Sequence, residues 1–149
     1  MLRSKSCLAC LTVLLLLGLL VGGYSWSVSV RWQFVGGAWS GDIRRVRRML
    51  DDGMDPNIVS YIGGIRAISM AAHGGHIDVV RLLLDWGADP TWGLPQAIST
   101  HRVDIVRLLI KRGANVVRLP GDSKTPLQIA KEAGNAEIVS MLRQAGAKQ

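Results

Sequence analysis

The stretch from Gly74 to Pro90, GGHIDVVRLLLDWGADP, constrains the fold more than any other part of the chain, because versions of it recur three more times. They read SGDIRRVRRMLDDGMDP from Ser40, THRVDIVRLLIKRGANV from Thr100 and AGNAEIVSMLRQAGAKQ from Ala133. A unit of this size cannot bury its apolar side alone and must stack on its neighbours. The copies carry Gly53, Gly87, Gly113 and Gly146 near their ends, at intervals of 34, 26 and 33 residues. Within them the apolar residues fall at helical spacing, as in Val79, Val80, Leu83 and Leu84 or Ile105, Val106, Leu109 and Ile110, which predicts amphipathic helices. Each glycine can take the left-handed conformation that closes a helix without a Cβ clash. Pro56 and Pro90 follow three residues later and discourage resumption.

Upstream of the last copy, Thr125, Pro126, Leu127, Gln128, Ile129 and Ala130 match the T-P-L-H-x-A signature with Gln128 in place of histidine. Arg66, Ala67, Ile68, Ser69, Met70, Ala71 and Ala72, followed by Gly75 and His76, keep the same frame more loosely. On these residues the chain resembles ankyrin-repeat proteins. The resemblance implies an all-α solenoid of about four helix-pair repeats with short hairpin fingers, here preceded by an N-terminal apolar helix. The repeat domain is expected over 38–149, with repeats at about 32–57, 58–90, 91–115 and 116–149.

The copies differ in informative columns. Arg45 and Arg48 stand where Val79 and Leu82, Ile105 and Leu108, then Ile138 and Met141 stand in the others, and Arg143 replaces Leu50, Leu84 and Ile110. Terminal repeats need polar outer faces, so the first and last copies read as caps and the array as closed within the chain. Gly63 and Gly64, or Pro120 and Gly121, mark fingers before the second and fourth inner helices. The third copy has only Thr91 to Pro95 there, which predicts an almost absent finger, a notch, and a shortened helix with Pro95 at its tolerant first turn. Residues 31–40 are expected to form a linker and a degenerate or frayed first helix, since Gly36 and Gly37 each cost about 1 kcal/mol against alanine in a helix.

Arg3 and Lys5 precede an uncharged run from Ser6 to Val30 with LTVLLLLGLLV at its centre. Residues 1–30 therefore read as a signal anchor or a signal peptide. The run is longer than the roughly 7 to 15 residues of a signal core, and Trp26, Arg31 and Trp32 suit an interfacial belt and stop. These features favour a single-pass N-terminal membrane anchor; the alternative is a secreted or periplasmic protein after cleavage. Orientation stays open, because Arg3 and Lys5 vote against the arginines that follow.

Net charge is +7, and +5 once Arg3 and Lys5 are set aside. That favours acidic partners or anionic lipid, while the lack of basic residues interleaved with base-reading aromatics argues against nucleic acid. Both cysteines, Cys7 and Cys10, lie in the apolar run, so the repeats hold neither a disulfide nor a thiolate zinc site. His73 and His76 have the spacing of a metal pair but no third ligand close in sequence, and Gly75–His76 matches the family's inter-helix turn. His101 occupies the corresponding glycine column. No serine has a nucleophile's strand–turn–helix context, and neither a P-loop nor GxGxxG occurs. Asp78 and Asp104 lie three residues before Arg81 and Arg107 as surface pairs, worth about 0.2–0.5 kcal/mol each.

The resemblance implies a non-enzymatic module that binds a protein through fingers and inner helices, expected here as a monomer without cofactor or metal; the alternative is an exported inhibitor or immunity-type protein that shields a dedicated partner. The residues in those places are Tyr61, Ile62, Arg66, Ser69, His73, Trp92, Arg118, Lys124 and Gln128. Trp92 and Tyr61 are the strongest anchors by residue type, and packing into the notch is the competing role for Trp92. Arg44, Arg45, Arg47 and Arg48 form a basic cluster beside the apolar segment. They read either as a soluble cap or as contacts to anionic headgroups.

Overall fold

Before each inter-helix turn the chain runs through a helix whose apolar residues point to one interior. The computed structural model describes residues 29–60, 63–118 and 124–147. Helix α1 covers residues 29–40, followed by α2 (Ile43–Asp51), α3 (Ala67–Gly74), α4 (Ile77–Asp85), a 3₁₀ turn (Pro90–Gly93), α5 (Leu94–Ser99), α6 (Val103–Lys111), α7 (Pro126–Glu132) and α8 (Ala136–Gln144). Among the described residues no strand forms, only an isolated antiparallel bridge between Val59 and Arg66 at the root of the first finger.

Turns set the register. Gly41, Gly75, His101 and Gly134 all have positive φ between the helices of a pair, and Gly53, Gly87, Gly113 and Gly146 repeat this twelve residues later at the close of the second helix. The inner helices α3, α5 and α7 pack side by side, the outer helices α2, α4, α6 and α8 pack in a second row, and each inner helix lies on the outer helix that follows it. The core runs unbroken between the rows, with Phe34, Ile68, Leu94 and Leu127 from one inner-helix column and Leu50, Leu83, Leu109 and Leu142 from the outer helices, all buried. Each such side chain contributes about 1.5–3 kcal/mol by leaving water.

The expectation of a degenerate helix over residues 31–40 is corrected. Residues 29–40 are helical, and Phe34, Val35 and Ala38 are almost fully buried. Packing outweighs the glycine penalty, and one glycine serves it: a Cβ on Gly37 would stand 3.1 Å from Cδ of Arg45 and 3.4 Å from Val46. The bare backbone lets α1 settle against α2. Arg31 donates to the Val59 carbonyl at 3.1 Å, and His76 donates from Nε2 to the Trp39 carbonyl at 2.8 Å. Arg31 is thus tied to the first finger and His76 joins two repeats.

The third copy is short as expected. The 3₁₀ turn replaces its finger, capped by Asp89, whose carboxylate accepts from the Thr91 amide at 2.9 Å, and Pro95 lies in the first turn of the six-residue α5. Of the two expected i, i+3 pairs, Arg107–Asp104 closes at 3.3 Å and extends to Glu137 at 3.1 Å. No ion pair joins Asp78 to Arg81 among the described residues. Of the apolar segment expected over residues 1–30, residues 1–28 lie outside the described residues, and Ser29 and Val30 open α1. Among the described residues, no helix is long and apolar enough to cross a membrane.

Candidate partner-binding face

The register places the inner-helix side chains in rows across the repeats. Counting nine back from each turn gives Trp32, Arg66, Trp92 and Thr125; counting two back gives Trp39, His73, Ser99 and Glu132. Columns four and seven back are buried, as Ala71, Ala97 and Ala130 or Ile68, Leu94 and Leu127 attest. The nine-back and two-back rows therefore carry the outward side of the inner helices. Trp32 is 42% exposed and Trp39 61%, unusual values for indoles. The sequence places Trp32 in an interfacial belt and Trp39, with Phe34 and Ala38, in the frame of the first helix without naming either tryptophan as a contact. The signal that finds both is the shared column, legible only once α1 counts as a true inner helix.

At the centre of this face Arg66 lies over the Trp92 ring, 3.6 Å from guanidinium carbon to ring centroid. Both are half-buried. They meet because they share the nine-back column of adjacent repeats, with the missing third finger leaving space above α3. The predicted notch is filled by Trp92, which packs partly against the core. Such stacking is worth about 0.5–2 kcal/mol. The Nε atom of Arg66 is buried and has no hydrogen-bond partner, a deficit of about 1–3 kcal/mol.

The other expected contacts divide. Ser69 is only 8% exposed, and its hydroxyl donates to the Trp92 carbonyl at 2.7 Å, so it supports the stack from beneath. His73, Arg118, Lys124 and Gln128 are exposed. Lys124 is held by Glu132 at 2.6 Å. Gln128 forms a capping box with Thr125: its amide oxygen accepts from the Thr125 backbone at 2.7 Å, and the Thr125 hydroxyl accepts from the Gln128 backbone at 3.2 Å. Tyr61 and Ile62 lie outside the described residues.

On α2, Arg44, Arg45, Arg47 and Arg48 are all exposed, and Arg45 pairs with Asp42 at 3.4 Å. Arg45 and Arg48 flank a groove of about 670 Å³ with Val30, Met49, Met54 and Ile58 in its lining. Among the described residues no repeat covers this side of α2, where Val79 and Leu82 of the next repeat have their counterparts in Arg45 and Arg48. Among the described residues no three His, Cys, Asp or Glu side chains gather as a metal would need. The Ser40, Ser69 and Ser99 hydroxyls donate to backbone carbonyls. What the face offers is flat aromatic surface beside fixed cations, which suits recognition.

Comparison with known proteins agrees with this architecture. Residues 94–143 match the family described as ankyrin repeats in many copies, and residues 64–92 the family described as ankyrin repeat. The chain is 40% identical over 50 residues to the 2-5A-dependent ribonuclease of Mus musculus, which covers 34% of this chain and 7% of that protein. It is 47% identical over 45 residues to a probable serine/threonine-protein kinase of Dictyostelium discoideum, covering 30% of this chain and 5% of that one. The chain thus spans a small fraction of those two relatives. Against the cyclin-dependent kinase 4 inhibitor B of Rattus norvegicus it is 30% identical over 113 residues, 70% of this chain and 85% of the relative. With helix pairs, turns and sequence matches in one frame, the chain belongs to the ankyrin-repeat proteins.

Proposed function

We propose that the chain is a non-enzymatic protein-binding module that takes its partner on the face of the inner helices and finger roots. The observation that carries this is the row Trp32, Arg66 and Trp92, which sets indoles and a guanidinium side by side on a rigid scaffold. Aromatic and arginine side chains dominate interface energies. Trp39, His73, Arg118 and Lys124 extend the surface, with Gln128 at its margin and Ser69 as a support; Tyr61 and Ile62, which lie outside the described residues, are proposed as contacts from their sequence position alone. A photo-crosslinking residue placed at position 39 or 73 is expected to give adducts of discrete mass. The same residue at position 78 or 107, on the outer helices, is expected to give none. Adducts from the outer positions alone would place the interface elsewhere.

A second reading is an inhibitor-type protein dedicated to one partner. It is favoured by the relative matched over 85% of its length, which is named an inhibitor of cyclin-dependent kinase 4. A stoichiometric complex that abolishes the captured partner's activity supports it; capture with full activity retained removes it.

The uncharged run from Ser6 to Val30 supports delivery of the module to a membrane, as a tether, or through it after cleavage. Intact mass with alkaline extraction of membranes separates the two, and an uncleaved chain in the soluble fraction would overturn both. The arginines of α2 are the proposed headgroup contacts. If R45E/R48E leaves binding of the repeat domain to anionic vesicles at low salt unchanged, they serve as a cap only.

A further inference from the structure

We propose that Arg66, stacked on Trp92, is the specificity-determining contact of the binding face and takes a carboxylate from an acidic segment of the protein partner. The proposal rests on the module reading and names the chemistry of its partner. Four other basic side chains among the described residues already hold a carboxylate: Arg45 with Asp42, Arg107 with Asp104 and Glu137, Arg112 with Asp85, and Lys124 with Glu132. Arg66 has none, and its Nε–H is shut from solvent without an acceptor. Among the described residues its guanidinium meets the face of the Trp92 indole, 3.6 Å from the ring centroid, and no carboxylate.

That arrangement fixes the plane of the guanidinium. The Trp92 backbone beneath is held by the Ser69 hydroxyl at 2.7 Å, and the preceding Thr91 is held twice, its amide by Asp89 and its hydroxyl by the Asn115 amide at 3.2 Å. A planar fork already fixed in place matches a planar carboxylate with two parallel hydrogen bonds and loses little further freedom on binding. A lysine on a flexible stem would not do the same.

Charge on the face points to the same partner. Arg118 and His73 lie exposed on it, and its Glu132 is engaged by Lys124. Asp51, Asp78, Asp85, Asp104 and Glu137 all belong to the outer helices. The outer helices carry these acids beside Arg44, Arg45, Arg47, Arg48, Arg81, Arg107, Lys111 and Arg143, whereas Glu132 is the one carboxylate among the described inner helices and is engaged. An acidic segment therefore meets no free acid on the inner helices, and the fixed Arg66 fork, not net charge, selects that face. Nucleic acid fits less well, because phosphate binding needs a continuous run of cations, and the one cluster of four arginines sits on α2, an outer helix.

The test uses the full chain, nitrogen-15 labelled, in a non-ionic detergent. The probe is a blocked twelve-residue peptide of alternating glutamate and glycine, with the glutamine peptide as control. The glutamate peptide is expected to shift the Arg66 Nε–H and Trp92 indole N–H resonances, and the glutamine peptide to shift neither. Arg66→Gln should weaken the glutamate peptide at least tenfold by fluorescence anisotropy. Arg66→Lys should fall between, and Arg47→Gln, which removes the same charge from α2, should change affinity less than twofold. Equal losses in Arg66→Gln and Arg47→Gln would reduce the effect to net charge and overturn the proposal. So would unshifted Arg66 and Trp92 resonances in the unmutated protein, a readout that needs no variant to fold. A single-stranded oligonucleotide of equal charge that binds more tightly and depends on Arg66 would reassign the face to nucleic acid. If crosslinks from positions 39 and 73 persist in Arg66→Gln at unchanged partner affinity, the module reading stands and this contact alone fails.

Discussion

His101 has φ of 57° where the other three repeats have glycine. A left-handed conformation costs an L-residue about 1–2 kcal/mol, and the greater freedom of glycine in the unfolded chain returns about 0.5–1 kcal/mol of that. His101→Gly is therefore expected to stabilise the array by roughly 0.5–1 kcal/mol, read as a higher urea midpoint at unchanged slope. A lower midpoint would show that the 3.4 Å contact of His101 with Asn135 outweighs the strain. The glycine column was legible in the sequence because a turn demands a residue type at a fixed offset. The Arg66–Trp92 stack was not. Both residues were named as contacts, but they lie 26 positions apart, and only the stacking of adjacent repeats brings one over the other. The burial of Ser69 was not legible for a related reason: small hydroxyls suit surfaces and buried hydrogen bonds alike, and its carbonyl partner is 23 residues away.

Among the elements, α1 departs most from what its residues suggest. Propensity counts Gly36 and Gly37 equally, yet their surroundings differ: a Cβ on Gly36 would meet nothing within 4 Å, whereas one on Gly37 would press on Arg45 at 3.1 Å. Gly36→Ala is expected to raise stability by about 0.5–1 kcal/mol, the helix-propensity gain. Gly37→Ala should gain less or lose, since Arg45 must give way. Thermal melts of the two variants check the pair, and equal gains would mean that α1 does not approach α2 as closely as described. The shortened α5 is the converse case. Its length followed from counting residues between turns, and the 3₁₀ entry at Pro90–Gly93 follows from an Asp89 cap and a proline at its first position.

Across the whole molecule, stability in such an array is close to a sum of repeat and interface terms. Its ends must resist further stacking. Arg45 and Arg48 occupy the columns that hold Val79 and Leu82 one repeat on, and they flank the groove lined by Met49, Met54 and Ile58. Replacing them as R45V/R48L is expected to leave folding stability within about 0.5 kcal/mol, as for other exposed sites. It should also increase self-association in sedimentation over that of the unmutated protein, by enlarging an apolar patch. An unchanged profile would show that the arginines are not what keeps this end from stacking.

The sequence by itself determined the repeat, the helix pairs, their turns, the short third copy and the polar outer columns. These follow from residue type at fixed spacing, and stacking identical units multiplies a local signal until it is unambiguous. Tertiary structure decided which helix survives its glycines, which Asp–Arg pair closes, and which side chains of the inner helices stay open to a partner. Phe34 and Val35 gain from burial what Gly36 and Gly37 lose in propensity, and Trp92 meets Arg66 across adjacent repeats. Such outcomes depend on distances between residues tens of positions apart, which no local pattern encodes.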